Sequence, residues 1–222
     1  MKALFAVWLL LAVSSTARGQ VVPATGAAPA AFVPPGYRVL PGGQATGDLN
    51  GDGQADVALA LGPAVEQAAN LSQAPPPRLL LVLWRTAAGG YRLGDVARQV
   101  LACRHCSGSP ADFDPFERLA IAQGVLRLWQ HGGDRRPWTL ENQFAYRQQQ
   151  LVLVREISLS RRPGPTCPAH GYPPACYLRD TNFVTGDYER VNVSEGCELL
   201  GHDRGRRPVE PLRPLADYKP AF

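Results

Sequence analysis

The sequence predicts an all-β protein, either an antiparallel sandwich or a curled meander of hairpins, with little helix. Three observations lead to this prediction. The 222 residues include 22 glycines and 21 prolines, which suit short strands joined by many turns. Several short segments alternate polar and apolar side chains, as half-exposed antiparallel strands do. No segment carries a long 3.6-residue period, so long amphipathic helices are not expected.

The composition is that of a folded protein with dispersed positive charge. Hydrophobic residues make up 45% and charged residues 19% of the chain, which permits a packed core and excludes the disordered class. The formal net charge is +4. The arginines are dispersed along the sequence, and adjacent ones form only pairs, at 135–136, 161–162 and 206–207, without longer runs. A nucleic-acid-binding surface would concentrate them, so no nucleic-acid partner is expected.

The N-terminus has the pattern of an export signal. Lys2 supplies a positive charge, residues 3–13 are apolar, and small residues follow. The apolar stretch is too short to cross a bilayer, which needs about 20 residues. We therefore predict that residues 1–17 are a signal peptide, cleaved after Ala17 or alternatively after Gly19. The protein is expected to be exported to the periplasm or outside the cell, without a membrane span.

Composition divides the rest of the chain into three parts. Residues 18–35 are rich in alanine, proline and glycine and predict a flexible tether. Residues 36–200 are expected to form a single β-rich domain. Residues 201–222 are rich in arginine and proline, which predicts a poorly ordered tail.

The first strands follow from local patterns. Residues 37–40 are expected to form a short edge strand, and residues 55–61 alternate as a strand does. Residues 64–77 are polar and rich in alanine and proline, which predicts a surface loop. Residues 79–85 are apolar on both faces, which predicts a central strand or one covered on both sides. After a glycine turn, residues 91–96 complete a hairpin.

The second half of the domain is also predicted to consist of hairpins. Further strands are expected at residues 119–122, 125–130, 138–147 and 151–160. The first two flank Gln123-Gly124, where glycine can adopt a positive φ. A tight hairpin is expected at residues 183–188, and a short helical turn near residues 114–118.

The most specific motif is an acidic loop at residues 47–56, GDLNGDGQAD. Its oxygen-bearing side chains stand at alternate positions and can converge if the backbone curls. Gly51 and Gly53 permit that curl because glycine accepts a positive φ. Calcium prefers six to eight hard oxygen ligands in a flexible shell. The loop therefore predicts a Ca²⁺ site with the ligands Asp48, Asn50, Asp52, Gln54 and Asp56.

The loop is not a complete EF-hand, because the twelfth position, which needs a bidentate glutamate, is Leu59. Residues 47–61, GDLNGDGQADVALAL, resemble the FG-GAP/VCBS type of repeat, in which a GDxNGDGxxD calcium loop leads into a β-strand. Integrin α-subunit propellers and many secreted bacterial proteins carry such loops. The resemblance implies that calcium is bound by the side chains of Asp48, Asn50, Asp52 and Asp56 and the backbone carbonyl of Gln54. The sequence has no second copy, so the resemblance covers the loop and its strand, not a propeller.

Export favours disulfides among the five cysteines, Cys103, Cys106, Cys167, Cys176 and Cys197. Cys167 and Cys176 bracket a proline-rich turn and are expected to pair. Cys103 and Cys106 form a Cys-x-x-Cys pair, for which a disulfide, a zinc site and a redox site are three open interpretations. One thiol is expected to remain, because the number of cysteines is odd.

No catalytic residue is predicted. The sequence lacks a Gly-x-Ser-x-Gly elbow, and no spacing singles out a carboxylate pair among Asp112, Asp114, Glu117 and Asp134. The aromatic residues Trp84, Trp129 and Trp138 are expected in the core, although two of them exposed side by side would form a platform for carbohydrate.

We therefore expect a monomeric, non-enzymatic, calcium-stabilised β domain that binds a protein or carbohydrate ligand. One alternative is a small secreted hydrolase with a dispersed site, for which His131 beside Asp134 in a cleft would be evidence. The other is a zinc or redox module at Cys103 and Cys106.

Overall fold

A computed structural model describes residues 22–67, 76–104, 113–134, 136–162 and 165–220. The predicted signal peptide and both of its cleavage positions lie outside these residues. The described chain is built from antiparallel strands in two sheets with three short 3₁₀ helices, which confirms the all-β prediction.

The smaller sheet has five strands in the order β1-β5-β4-β3-β2. Its strands are β1 (Thr25–Gly26), β2 (Tyr37–Gly47), β3 (Asp56–Pro63), β4 (Leu79–Arg85) and β5 (Tyr91–Ala97). β4 is interior to this sheet and buried on both faces, as its apolar sequence predicts. Leu80 and Val82 face the main core, whereas Leu79 and Leu81 belong to a second cluster on the opposite face.

The larger sheet has seven strands, which follow one another in chain order as a meander. They are β6 (Phe116–Ala122), β7 (Val125–Gly132), β8 (Trp138–Arg147), β9 (Gln150–Ser160), β10 (Tyr177–Asn182), β11 (Asp187–Val193) and β12 (Leu199–Arg206). The hairpin expected at residues 183–188 is confirmed as the turn between β10 and β11. The helical turn expected near residues 114–118 is wrong, because β6 begins at Phe116 and pairs with β7.

The main core lies between the two sheets. Ala58 and Leu80 of the smaller sheet share one buried cluster with Leu126, Phe144 and Leu153 of the larger sheet. β2 and β6 adjoin each other, since a Cβ on Gly47 would lie 2.6 Å from Cγ2 of Ile121. The face of the larger sheet that meets this core is called its inner face below, and the opposite face its outer face.

β10, β11 and β12, called the extension below, continue the larger sheet beyond this core. Strands β6 to β9 supply the main core, whereas Val191 and Val193 of β11 belong to a separate cluster with Cys167 and Cys176. β9 spans the two regions, because its residues from Leu151 to Leu153 are buried and the rest of the strand is half-buried.

The N-terminal segment is more ordered than the predicted tether. Thr25 pairs with Arg92 as β1 joins the edge of β5. Phe32, in the first 3₁₀ helix (Pro29–Phe32), is fully buried against the second cluster. The domain therefore includes residues before Gly36, because a large aromatic side chain fixes an otherwise alanine- and proline-rich segment to the sheet.

The predicted poorly ordered tail is also corrected. β12 pairs with β11 along its length up to Arg206. Residues 207–213 then return to β9, where the N–H of Leu153 donates to the carbonyl of Arg213 at 2.9 Å. Leu215 and Tyr218 close the main core at 0% and 2% exposure. Among the described residues, no helix is long and apolar enough to cross a membrane.

Candidate functional site

The acidic loop connects β2 to β3, whose ends pair through Gly47 and Asp56. Gly51 and Gly53 have φ values of +79° and +80°, and a Cβ at either position would meet nothing within 4 Å. Glycine is therefore required at both positions by backbone conformation and not by lack of space. Gly53 is the sixth residue counted from Asp48, the position at which calcium loops of the EF-hand type make their sharp turn.

The carboxylate of Asp48 organises the curl of the loop. Its Oδ1 accepts the N–H of Gly51 at 2.7 Å, and its Oδ2 accepts the N–H of Gly53 at 2.8 Å. Both carboxylate oxygens therefore point to the inside of the turn, which is where a ligand of a cation would need to point.

Asn50 and Asp52 extend the same pattern along the loop. Oδ1 of Asn50 accepts the N–H of Asp52 at 3.0 Å, and Oδ1 of Asp52 accepts the N–H of Gln54 at 2.8 Å. The Nδ2 of Asn50 also donates to Oδ2 of Asp52 at 3.1 Å. The structure thus brings these predicted residues into one connected turn.

Asp56 connects the loop to the neighbouring strand. The side chain is fully buried, its Oδ2 accepts the N–H of Leu49 at 3.0 Å, and its Oδ1 accepts the N–H of Arg85 at 2.9 Å. Burial raises the pKa of Asp56, and these two hydrogen bonds oppose that shift. Asp56 therefore anchors the loop to β4, a role that its position at the start of a fully buried strand could have indicated.

The donor set suits calcium, because it contains carboxylate, amide and carbonyl oxygens only. Among the described residues, no three His, Cys, Asp or Glu side chains come together as a metal site. The loop oxygens instead accept its own amide hydrogens. A carboxylate oxygen has more than one lone pair and can accept an N–H and bind a cation together. Asp48, Asn50 and Asp52 could hold Ca²⁺ with the carbonyl of Gln54.

A buried ion-pair network lies elsewhere in the molecule and was missed by the sequence analysis. Nε of Arg78 lies 2.9 Å from Oε2 of Glu66, and its Nη1 lies 2.7 Å from Oδ1 of Asp114. Burial acts to raise the pKa of Asp114, but the hydrogen bonds and charge of Arg78 bring it below its usual value. This network joins the starts of β4 and β6, so Asp114 has a structural role.

Among the residues considered for a hydrolase, His131 has two contacts with neighbouring side chains. His131 lies against Glu117, with Nδ1 and Oε2 3.5 Å apart, and its ring is 4.6 Å from that of Phe113. Asp112 lies outside the described residues. These contacts place His131 on the outer face of the larger sheet beside an exposed carboxylate.

The tryptophans do not form a shared platform. Trp84 is in the core, 5.1 Å from the ring of Tyr146. Trp129 points to the outer face, where the guanidinium of Arg118 covers it at 4.1 Å. Trp138 pairs with Gly132, so the alternation of β7 places it on the inner face. The exposed aromatic pair that would favour a carbohydrate platform is therefore not formed by these three side chains.

The cysteine pairing differs from the predicted one. Cys167 forms its disulfide with Cys197, with Cα atoms 5.6 Å apart, and Cys176 is a buried free thiol. The pairing is non-local because the turn after β11 brings Cys197 beside the loop before β10. Among the four described cysteines one free thiol remains, as expected. Cys103 is disulfide-bonded, which agrees with the disulfide interpretation, and Cys106 lies outside the described residues.

All five predicted calcium ligands therefore lie in or at the end of the acidic loop, and Asp56 anchors this loop to the sheet. Comparisons of the chain with protein-family models, with curated proteins and with solved structures found no match.

Proposed function

We propose that the protein is an exported, calcium-stabilised β domain with a non-catalytic binding role. The observation that carries the calcium assignment is the curled loop between β2 and β3. Oxygen-bearing side chains stand at its first, third and fifth positions, and glycine with a positive φ stands at its sixth. This combination matches the first half of a calcium loop of the EF-hand type, whereas Leu59 stands in place of the bidentate glutamate and strands replace the helices.

Calcium at this loop would act on the stability of the β2–β3 connection. The negative charges of Asp48 and Asp52 both disfavour the ionised form of Asp56, and a divalent cation would offset that repulsion. Extracellular calcium sites bind at about 0.1–1 mM. A site of ~0.1 mM in ~1 mM calcium would stabilise the folded state by about 1.4 kcal/mol.

The disulfide between Cys167 and Cys197 supports export, because such bonds persist in oxidising compartments. The binding role is supported by the extension, in which β12 is exposed along its length and no residue of β10 is fully buried. Of the two fully buried carboxylates among the described residues, Glu66 is held in an ion pair with Arg78 and Asp56 by two backbone amides. Their arrangement favours a structural role over catalysis.

The test is the thermal midpoint of unfolding in EDTA and in calcium, with Asp52→Ala as the loop variant. The range of ~1–10 mM calcium covers the weak end of extracellular sites. Asp203→Ala is the matched control, because Asp203 is exposed on β12 and the charge change is the same. We expect calcium to raise the midpoint of the wild type and of the control, and not that of Asp52→Ala.

An equal rise in all three proteins would place the calcium effect outside this loop. No rise in the wild type, together with silent calorimetric titration, would reject the calcium assignment. Either result would leave the β fold and the disulfide unaffected.

A further inference from the structure

The arginines on the two faces of the extension differ in whether a carboxylate lies beside them. On the outer face, Arg155 forms hydrogen bonds to both carboxylate oxygens of Asp180, and Arg204 lies 3.5 Å from Glu189. These residues are cross-strand neighbours, and each arginine has a carboxylate to neutralise it. The outer face therefore follows the ordinary rule that opposite charges face each other across a sheet.

The inner face breaks this rule. Arg179 on β10 stands directly opposite Arg190 on β11, and opposite Ser158 on the other side. The other cross-strand neighbour of Arg190 is Asp203 on β12, whose Oδ1 accepts a hydrogen bond from the hydroxyl of Tyr188. Within the described part of the chain, neither arginine makes a salt bridge. Like charges directly opposite each other destabilise a sheet, so the fold gains nothing from this pair alone.

A third arginine approaches the same place. Tyr188 lies on the inner face, and the guanidinium of Arg190 lies 5.6 Å from its ring centroid. The guanidinium of Arg207 lies 4.5 Å from the same centroid. Arg207 is held there because its N–H donates to the carbonyl of Gly186 at 2.9 Å. The ring of Tyr188 therefore contacts the guanidinium groups of both Arg190 and Arg207, close to Arg179.

These three arginines line a groove of about 310 Å³ between the inner face and the returning C-terminal segment. Phe183 and Val209 supply apolar surface to its wall, and Val209 is 56% exposed. Glu156 also lines the groove, but its Oε2 already accepts hydrogen bonds from Tyr218 and Asn142. Glu210 is the other carboxylate, so positive charge exceeds negative charge around the groove.

We propose that this groove, which we call the arginine groove, binds an oxyanion, that is, a carboxylate, phosphate or sulfate group carried by the ligand of this domain. Guanidinium groups present planar forks of donors that match such anions. A bound oxyanion between Arg179 and Arg190 would turn a repulsive pair into an attractive one. Phe183 and Val209 would contact an apolar part of the same ligand.

The proposal rests on the binding role proposed above, since it names the chemistry of the ligand. It does not rest on calcium, because the arginine groove and the acidic loop are formed by different strands. Probe binding is therefore measured both in EDTA and in calcium. Binding to the arginine groove in EDTA would support this proposal even if the calcium assignment failed.

The test is binding of two probes at constant ionic strength, inorganic phosphate and a short sulfated dextran, with unsulfated dextran as the neutral comparison. The groove variant is the double substitution Arg179→Gln/Arg190→Gln. Arg147→Gln is the control, because Arg147 is an exposed arginine at the end of β8, away from the groove. Isothermal calorimetry gives the affinity, and the thermal midpoint reports the fold.

For whichever of the two anionic probes binds the wild type, we expect the affinity of the double variant to be at least about ten-fold weaker than that of Arg147→Gln. The reason is that the double substitution removes two charge-assisted contacts. Without a probe, the thermal midpoint of the double variant should be close to that of the wild type. The variant removes the repulsion between Arg179 and Arg190, which offsets the loss of the contact of Arg190 with the Tyr188 ring and of its attraction to Asp203. Binding of phosphate itself would indicate a site for a small ion, and binding of sulfated dextran alone a site for a polymer.

Two results would overturn the proposal. One is that each probe binds the double variant and Arg147→Gln with the same affinity. Any binding would then come from general attraction by positive charge and not from the groove. The other is a clear loss of stability in the double variant without a probe. That loss would mean that the two arginines serve the fold itself and not a ligand.

Discussion

At the residue scale, Asp56 links the acidic loop to the sheet through two backbone amides. We predict that Asp56→Asn lowers the free energy of unfolding by about 1–3 kcal/mol, the usual cost of a buried polar group left without its partner. An asparagine has one acceptor oxygen, so its NH₂ group would face the N–H of either Leu49 or Arg85. Urea denaturation measures the change in calcium-free buffer.

The matched control for this prediction is Asp134→Asn, because Asp134 is exposed between β7 and β8. Surface changes of this kind usually alter stability by less than about 0.5 kcal/mol. If Asp56→Asn were as stable as the control, the anchoring role of Asp56 would be rejected. The sequence pattern identified Asp56 as a loop carboxylate, but only the placement of β4 beside it shows which amides it binds.

At the element scale, the C-terminal segment is part of the core although its composition suggests disorder. We predict that Leu215→Ala costs about 2–5 kcal/mol, the range for a leucine removed from a packed core, because Leu215 is fully buried between β5 and β9. Val209→Ala, in the same segment but 56% exposed, should have little effect. Urea denaturation of both variants decides whether the segment stabilises the domain.

If Leu215→Ala and Val209→Ala both changed the free energy of unfolding by the same small amount, the C-terminal segment would be poorly ordered, as its composition predicts. Residues 201–222 misled the prediction because arginine and proline dominate them, whereas the pairing of β12 and the burial of Leu215 and Tyr218 hold the segment in place. The strands themselves were predictable where alternation is regular, as in β8 and β9. β10 and β12 carry mostly polar side chains on both faces, so periodicity gave them no signal.

At the scale of the whole molecule, one disulfide ties the loop before β10 to the turn after β11. Cys167 and Cys197 are 30 residues apart, and closing a loop of that length contributes about 3–4 kcal/mol in the chain-entropy model. We predict a loss of that size in the Cys167→Ala/Cys197→Ala variant. Alkylation of the unfolded, unreduced protein should label Cys176 and leave both disulfide partners unlabelled.

Cys176→Ala is the control, since it removes a thiol and leaves this disulfide intact. Label on Cys197 in the wild type would instead support the pairing of Cys167 with Cys176. Spacing along the chain could not decide between these pairings, because connectivity depends on which turns the sheet brings together. The same limit applies to the arginine groove, whose residues come from distant parts of the sequence and meet only through the strand register.

The burial of Leu215 and Tyr218 also determines the order in which the domain can be completed. Most strands pair with their neighbours in sequence, so the hairpins can form one after another as the chain is synthesised. The space that these two side chains occupy between the sheets must remain exposed until residue 218 has emerged and can dock. An unfinished chain would therefore display an apolar opening, the kind of surface that chaperones retain, until the final segment docks and closes it.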